Sequence, residues 1–327
     1  MALMLGAIMA VIGNPVVFSV IIIIASLFII LKAADLLVYG VADYARRLGL
    51  SDSVSGLVIV SMAASLPEIL ASLTGLVSAD PGVFFGTILG NNLVHMGLLV
   101  GFIALLAGRA KISFESRLLK KSSLVLWFLL MLPFVLMSDG RLSRADGLVL
   151  LFAFAFYLVR VWRMEGSLGK IKKNVKFKHI WRDMFIFCGS LVAILLAVRL
   201  LVFGAVNIAH ELGIPSYFIA LTIIGVGGTI DDFAISFRSV LRKHEAIGVG
   251  DAVGSVVNEF LLFFGLVGLF YPVDVPFGSL LNAVIFLVIG ITVTLYLVHR
   301  GRVNWKHGVL LLLIYSLFIG IEVWKFL

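Results

Sequence analysis

The chain has 327 residues, of which 61% are hydrophobic and only 13% are charged. Soluble globular domains carry about 25% charged residues, so the composition excludes an ordinary water-soluble protein. The net charge of +8 does not indicate a nucleic-acid partner, because the basic residues lie in loops between apolar segments, where anionic lipid accounts for them.

Apolar runs of about 20 residues recur along the chain, and each is long enough to cross a hydrocarbon core of about 30 Å. They predict an all-α polytopic membrane protein with about ten spans, near 15–39, 53–77, 82–107, 122–138, 145–163, 184–209, 216–240, 246–271, 276–298 and 307–325. Residues 1–13 are apolar but carry no lysine or arginine, so we do not expect a cleavable signal. The single cysteine, Cys188, falls inside a predicted span, and neither a disulfide nor a thiolate metal site is expected.

The basic residues of the loops are distributed unequally between the two sides of the membrane. With the amino terminus outside, the outside loops and the carboxyl tail hold only Arg141, Arg144 and Lys325, and the other loop arginines and lysines face inside. The positive-inside rule therefore predicts that both termini lie outside.

The two halves of the chain align with each other. A shift of 164 residues superimposes them without a gap from about 35 to 101, and it places Gly86, Gly90 and Gly101 on Gly250, Gly254 and Gly265. Chance does not readily explain this common register of the glycines. The turn at 78–81 has no basic residue, whereas the aligned turn at 242–245 is basic, so the repeat is inverted. We predict a first five-helix repeat at 1–163, a basic cytoplasmic linker at 164–183 and a second, inverted five-helix repeat at 184–327.

Nine polar residues in the repeated spans are candidates for a metal site: Ser65, Glu68, Asn91, His95, Thr229, Asp231, Asp232, Ser255 and Glu259. Within each span, candidates three or four residues apart share one face of a helix. Pro67 and the glycines before Thr229 free backbone carbonyls nearby. Hard divalent cations take about six oxygen ligands of these kinds. Buried carboxylates are costly unless a cation or proton compensates them, so we expect a transport site near the middle of the bilayer.

Residues 64–68, Ala-Ser-Leu-Pro-Glu, resemble the G-T-S-L-P-E signature of the calcium/cation antiporter superfamily. Residues 86–95 and 250–259 resemble its paired G-N-x-x-G-S-N segments, within motif regions at 56–101 and 220–265. The layout also resembles the prokaryotic sodium/calcium exchangers. The resemblance implies a monomer of the prokaryotic cell (inner) membrane, in contact with the lipid bilayer, that exchanges Ca²⁺ against Na⁺ or H⁺ by alternating access. It implies neither a cofactor nor an enzymatic activity.

The family's functional positions can be carried over onto this chain. Its central carboxylates fall on Glu68 and Asp232, its second-layer amide or acid positions on His95 and Glu259, and its small hydroxyl positions on Ser65, Thr229, Asn91 and Ser255. The chain departs from the pattern at several of these positions. Ala63 and Ala64 replace glycine and threonine, Asp231 and Asp232 stand where proline and glutamate are expected, and Asn91 replaces a serine. The loss of oxygen ligands weakens the expectation of sodium as the coupling ion.

His95 leaves three interpretations open. A neutral imidazole ligates softer metals such as Mn²⁺ or Zn²⁺, and a titratable imidazole beside carboxylates carries protons. Alternatively, His95 bonds a backbone carbonyl or Glu259 and only shapes the site. Exchange of another divalent metal, including Mg²⁺, and a cation channel are the alternative functions. Asp35 and Arg199 occupy equivalent positions in the two halves, which suggests a pairing between them or with Asp231.

Overall fold

The computed structural model describes residues 15–47, 58, 61–77, 80–109, 117–165, 180–229, 232–233, 236, 245–301 and 304–325. Nearly all of these residues are helical, which agrees with the predicted all-α membrane fold. In this part of the chain, eight helices are long and apolar enough to cross a membrane. Two shorter apolar segments, at 68–77 and 217–228, fall within the second and seventh predicted spans. The count of ten spans stays a prediction.

The described elements are almost all helices. In chain order they are α1 Pro15–Arg47, α2 Ser61–Val77, α3 Pro81–Leu93, α4 Val100–Arg109, α5 Arg117–Leu136, α6 Arg144–Glu165, α7 Ile180–Leu212, α8 Ser216–Ile219, α9 Gly225–Gly228, α10 Glu245–Val257, α11 Phe264–Phe270, α12 Phe277–Arg300 and α13 Trp305–Trp324. Three π-helical segments connect successive helices without a break. Val94–Leu99 joins α3 to α4, Ala220–Ile224 joins α8 to α9, and Asn258–Phe263 joins α10 to α11. A 3₁₀ turn, Met137–Asp139, precedes strand β1 Arg141–Leu142, which pairs antiparallel with β2 Val273–Asp274.

Local sequence sets the ends of several helices. At the start of α3, the Asp80 carboxylate accepts a hydrogen bond from the Val83 backbone N–H at 3.1 Å, and Pro81 occupies the first helical turn. Both features are typical of helix amino termini. At the end of α12, Gly301 adopts φ 66°, the left-handed conformation that commonly terminates a helix.

Two elements of the first half have counterparts in the second half at the same offset. Adding 164 to the bounds of α3 gives those of α10, and adding 164 to the π segment Val94–Leu99 gives Asn258–Phe263. This is the offset that aligns the two halves of the sequence. The helices also extend into the predicted linker, since α6 ends at Glu165 and α7 begins at Ile180. Polar residues continue the helical backbone beyond the apolar run, so hydropathy alone places helix ends poorly.

The buried apolar side chains form two clusters. The larger one is built mainly from α3 to α6 and α10 to α13, and Phe260 stacks on Phe264 inside it at 5.5 Å between ring centroids. The smaller one lies mainly between α1 and α7 and includes Ile30 and Leu201. These two helices approach closely, because a Cβ on Gly204 would lie 2.9 Å from the Ser19 carbonyl oxygen. We call the pair α1 and α7 the peripheral pair.

Candidate cation-binding site

A close helix crossing brings the polar segments of the two halves together. A Cβ on Gly90 of α3 would lie 2.5 Å from the Leu221 carbonyl oxygen, and a Cβ on Gly225 would lie 2.9 Å from the Gly90 carbonyl carbon. Side chains at these positions would hold the backbones apart, so both glycines are required by the approach. The crossing places Asn91 beside Gly228, because a Cβ added to Gly228 would lie 3.4 Å from Asn91 Oδ1.

Glu68, His95 and Asp232 form the centre of the site. One ligand atom from each lies within 4.8 Å of the others, and all three side chains are buried. His95 Nε2 lies 2.7 Å from Asp232 Oδ2, a hydrogen-bonding distance, and 3.6 Å from Glu68 Oε1. The site therefore combines carboxylates from both halves of the chain around one imidazole.

Glu259 lies beside this centre and is held by two amides. Asn91 Nδ2 donates to Glu259 Oε1 at 3.1 Å, and Asn92 Nδ2 donates to Glu259 Oε2 at 2.6 Å. The Glu259 carboxyl also interacts with the Glu68 side chain. Each carboxylate oxygen of Glu259 thus has a fixed donor, and the acid is oriented before any ligand binds.

Two π-helical segments orient His95 and Glu259. Each segment begins one residue before the functional side chain, at Val94 and at Asn258. A π turn inserts an extra residue into the helix, changes the direction of the following side chains and releases carbonyls from the regular ladder. One carbonyl of the first segment, that of Met96, accepts a hydrogen bond from the Thr294 hydroxyl at 3.1 Å. π segments are frequent at functional sites for this reason.

The predicted hydroxyl ligands are buried near the centre, but they differ in their partners. Ser65 Oγ donates to the Ser61 carbonyl at 2.7 Å, and Thr229 Oγ1 lies 3.1 Å from the Gly225 carbonyl. Their protons are used within their own helices, so their oxygen lone pairs remain available to a cation. Within the described residues, Ser255 Oγ has no hydrogen-bond partner, and neither has Asn91 Oδ1.

The structure places most of the predicted residues as neighbours, with some differences. Asp231 and the side chain of Asp35 lie outside the described residues, so the proposed pairings of Arg199 stay predictions. Arg199 itself is exposed and lines a cavity of about 680 Å³ between α2 and α7. Within the described part of the chain, His95 bonds neither a backbone carbonyl nor Glu259, the two partners proposed for it, and its hydrogen-bond partner is Asp232.

Sequence reasoning missed two amides. Asn92 holds Glu259, and Asn258 Nδ2 donates to Ser61 Oγ at 3.1 Å. Both are buried, and both are adjacent in sequence to a predicted site residue. The available signal was the presence of a second amide next to Asn91 and next to Glu259 inside apolar spans.

The charges of the site need a mobile cation or proton. Glu68, Asp232 and Glu259 are buried, and His95 Nε2 lies within ion-pairing distance of Glu68 and Asp232. Burying several carboxylates beside one imidazole is unfavourable unless protons or a metal ion neutralise them. The oxygen-rich set, with one nitrogen, fits a hard divalent cation.

Comparisons with known proteins identify the family of the chain and its fold. The family model for the sodium/calcium exchanger protein matches residues 18–163 and 183–324. The sodium/calcium exchanger MaX1 of Methanosarcina acetivorans is 24% identical over an alignment of 340 residues, gaps included, and the alignment covers 91% of this chain and 96% of that protein. The fold is similar to that of the sodium-calcium exchanger NCX_Mj, with a TM-score of 0.71, 23% identity and coverage of 93% of this chain and 98% of that chain.

The fold is also similar to that of the H⁺/Ca²⁺ exchanger CAX, with a TM-score of 0.76, 15% identity and coverage of 93% of this chain and 86% of that chain. The likeness to these two solved structures therefore extends over nearly the whole chain. Because the family model covers most of its length, the chain belongs to the sodium/calcium exchanger protein family, a family of multi-pass membrane transporters rather than enzymes.

Proposed function

We propose that the protein exchanges Ca²⁺ for protons across the membrane, with both ions using the Glu68, His95 and Asp232 cluster in turn. The observation that carries this proposal is the wholly buried group of two carboxylates and one imidazole with ligand atoms within 4.8 Å. Carboxylate oxygens at such separations are suited to a single divalent cation. The name of the relative MaX1 supports calcium as the transported ion.

Competition between the two ions follows from the contact of His95 with Asp232. His95 Nε2 and Asp232 Oδ2 lie 2.7 Å apart and share a proton. This proton occupies a lone pair that either atom would need in order to bind a metal ion. A calcium ion on Asp232 therefore requires this hydrogen bond to break, and the positive charge of a protonated imidazole opposes the cation. Binding of one ion thus promotes release of the other.

Sodium is the second candidate for the coupling ion. Ser65 and Thr229 are buried hydroxyls whose oxygens remain available beside Glu68, and Na⁺ binds to such oxygens. Asn91 argues against sodium, because its amide donates a hydrogen bond to Glu259 at a position where the family resemblance predicts a serine.

We further propose that the chain is built as two inverted five-helix repeats and works by alternating access. The equal offset of 164 residues in sequence and in element bounds supports the repeats, and transporters with inverted repeats commonly bind substrate at the repeat interface. The unequal loop charges support termini on the outside of the cell membrane. Among the described residues, none of the peripheral pair belongs to the larger apolar cluster, which supports movement of the pair against the helices of that cluster.

Flux into proteoliposomes of the purified protein tests the proposed function. Uptake of labelled Ca²⁺ should require an opposing proton gradient, and a trapped pH dye should report proton movement in the opposite direction. Uptake that requires an opposing Na⁺ gradient, with no dye signal, would assign sodium as the coupling ion. Uptake driven by the Ca²⁺ gradient alone would indicate a channel and overturn exchange.

A further inference from the structure

Asp251 is a buried carboxylate outside the central cluster. It lies in α10 with no exposed surface, eight residues before Glu259. Eight residues of helix correspond to about 12 Å along the axis. A second carboxylate at this depth has no part in the proposed binding of ions at Glu68 and Asp232.

Ser255 lies midway between the two acids. Residues 251, 255 and 259 are spaced by four, so their side chains follow one side of the helix. Ser255 is fully buried, and its Oγ atom has no hydrogen-bond partner in the described part of the chain. A buried hydroxyl without a partner costs free energy, which a bound ligand would recover. The three residues form a column of oxygen atoms that leads away from the centre.

The column leads towards one membrane face. Lys120, near the start of α5, and Arg300, at the end of α12, belong to this face, because Ser123 of α5 and His299 of α12 lie 2.9 Å apart. The short segment 271–276 joins α11 to α12 at the opposite face. The run from α10 to α11 is antiparallel to α12, and α10 therefore begins at the face of Lys120 and Arg300, which we call the basic face.

The equivalent column of the first half lacks the acid. The offset of 164 residues places Thr87, Asn91 and His95 at the positions of Asp251, Ser255 and Glu259. Thr87 is also fully buried, but it is neutral. A carboxylate thus lies on the path from the site to the basic face and has no counterpart in the first half.

We propose that Asp251 and Ser255 form a second cation station, which receives a divalent cation between the central site and the basic face. The inference rests on the proposed exchange at the central site. Carboxylate and hydroxyl oxygens are ligands that hard cations accept. A carboxylate ligand on one path offers a cation a second binding position on that path alone. The station therefore favours cation binding from the basic face and leaves binding from the opposite face unchanged.

Membrane vesicles of both orientations, holding the full-length protein, test this inference. The half-saturating Ca²⁺ concentration is measured from each face for the wild type, Asp251→Asn and Asp274→Asn, where Asp274 is an exposed carboxylate at the opposite face. Asp251→Asn should raise the half-saturating Ca²⁺ concentration at the basic face by about threefold or more, through loss of an anionic ligand at the station. It should not change this concentration at the other face. Asp274→Asn should not alter the value at the basic face.

A second variant, Asp251→Thr, introduces the residue type found at the equivalent position of the first half and should reproduce the one-sided change. Equal changes in the half-saturating Ca²⁺ concentration at both faces, or no change of it in either variant, would overturn the proposed station. A wild type without Ca²⁺ exchange would instead refute the proposed function, and the two failures are thus distinguishable. If Asp251→Asn is not monodisperse on gel filtration, Asp251→Thr decides the question, and loss of folding in both would assign Asp251 a structural role and overturn the station.

Discussion

His95 Nε2 lies within 4 Å of both Glu68 and Asp232, and in the proposed site each carboxylate supplies a negative charge to the bound cation. Replacing either by its amide, in Glu68→Gln or Asp232→Asn, removes an anionic ligand while keeping the shape. Loss of one partner from a buried charged group costs about 3 kcal/mol, or about a hundredfold in binding. Uptake of labelled Ca²⁺ should fall by a factor of this size in both variants. Asp274→Asn, which removes an exposed carboxylate, serves as the control, and near-normal uptake in Glu68→Gln would contradict the proposed site.

His95 contacts Asp232 directly, so its replacement should separate proton coupling from calcium binding. In His95→Asn, Asp232 loses its titratable partner but keeps its charge, and an amide oxygen replaces the imidazole. We expect Ca²⁺ uptake driven by a proton gradient to fall about tenfold or more, within the range of a general proton-transfer group. Exchange of Ca²⁺ for Ca²⁺ across the same membrane should fall much less. An equal loss of both activities would mean that His95 serves binding rather than coupling.

The sequence predicts the members of this site better than their pairings. Glu68, His95 and Glu259 stand out because polar side chains in apolar spans are costly and rare. The bond between His95 and Asp232 joins residues 137 positions apart, and it depends on helix rotations that the sequence does not define. Spacing alone also places Asn92 away from the face of Asn91, yet both amides reach Glu259, one on each oxygen.

At the scale of the helices, the crossing at Gly90 determines how closely the two halves approach. A Cβ there would meet the Leu221 backbone at 2.5 Å, so Gly90→Ala must push α3 away. Overpacking of this kind costs about 1–3 kcal/mol, which corresponds to a fall of several degrees in the melting temperature. Gly320→Ala in α13 is the matched control, because an added Cβ there meets no atom within 4 Å. Thermal unfolding in detergent should show a lower melting temperature for Gly90→Ala and an unchanged one for Gly320→Ala.

The existence of the helices follows from apolar runs of membrane length, but their internal irregularities do not. The segments Val94–Leu99 and Asn258–Phe263 read as ordinary apolar helix, and hydrophobic periodicity over six residues does not separate π from α turns. Tertiary contacts stabilise the wider turn instead, as with the bond from Thr294 to the Met96 carbonyl. The bounds of α1 likewise extend to Arg47, well past the apolar run that predicts its end near 39.

At the scale of the whole molecule, the described residues of the peripheral pair are absent from the larger apolar cluster. The pair packs through the smaller cluster, which also includes parts of α2, α3 and α8. We treat the peripheral pair and the bundle built on the larger cluster as two units. Alternating access by rigid-body movement needs such a division, since a single continuous core would resist sliding. The cavity between α2 and α7 lies at the boundary between the two units, and it is lined by Val77, Arg199 and Val206 among others. Relative movement of the units would change the width of this cavity.

Linking the two units across the cavity should therefore stop transport. Val77→Cys and Val206→Cys place one thiol on α2 and one on α7, in a background where the single native cysteine is removed by Cys188→Ser. Bridging them with a reducible bifunctional thiol reagent should lower Ca²⁺ uptake about tenfold or more, because the units can no longer slide over the distances that carriers require. Cleavage of the bridge with a reductant should restore uptake, and each single-cysteine variant should be unaffected by the reagent. Full uptake in the bridged protein would show that α7 and α2 keep a fixed distance during the cycle, and the peripheral pair would then not be the moving unit.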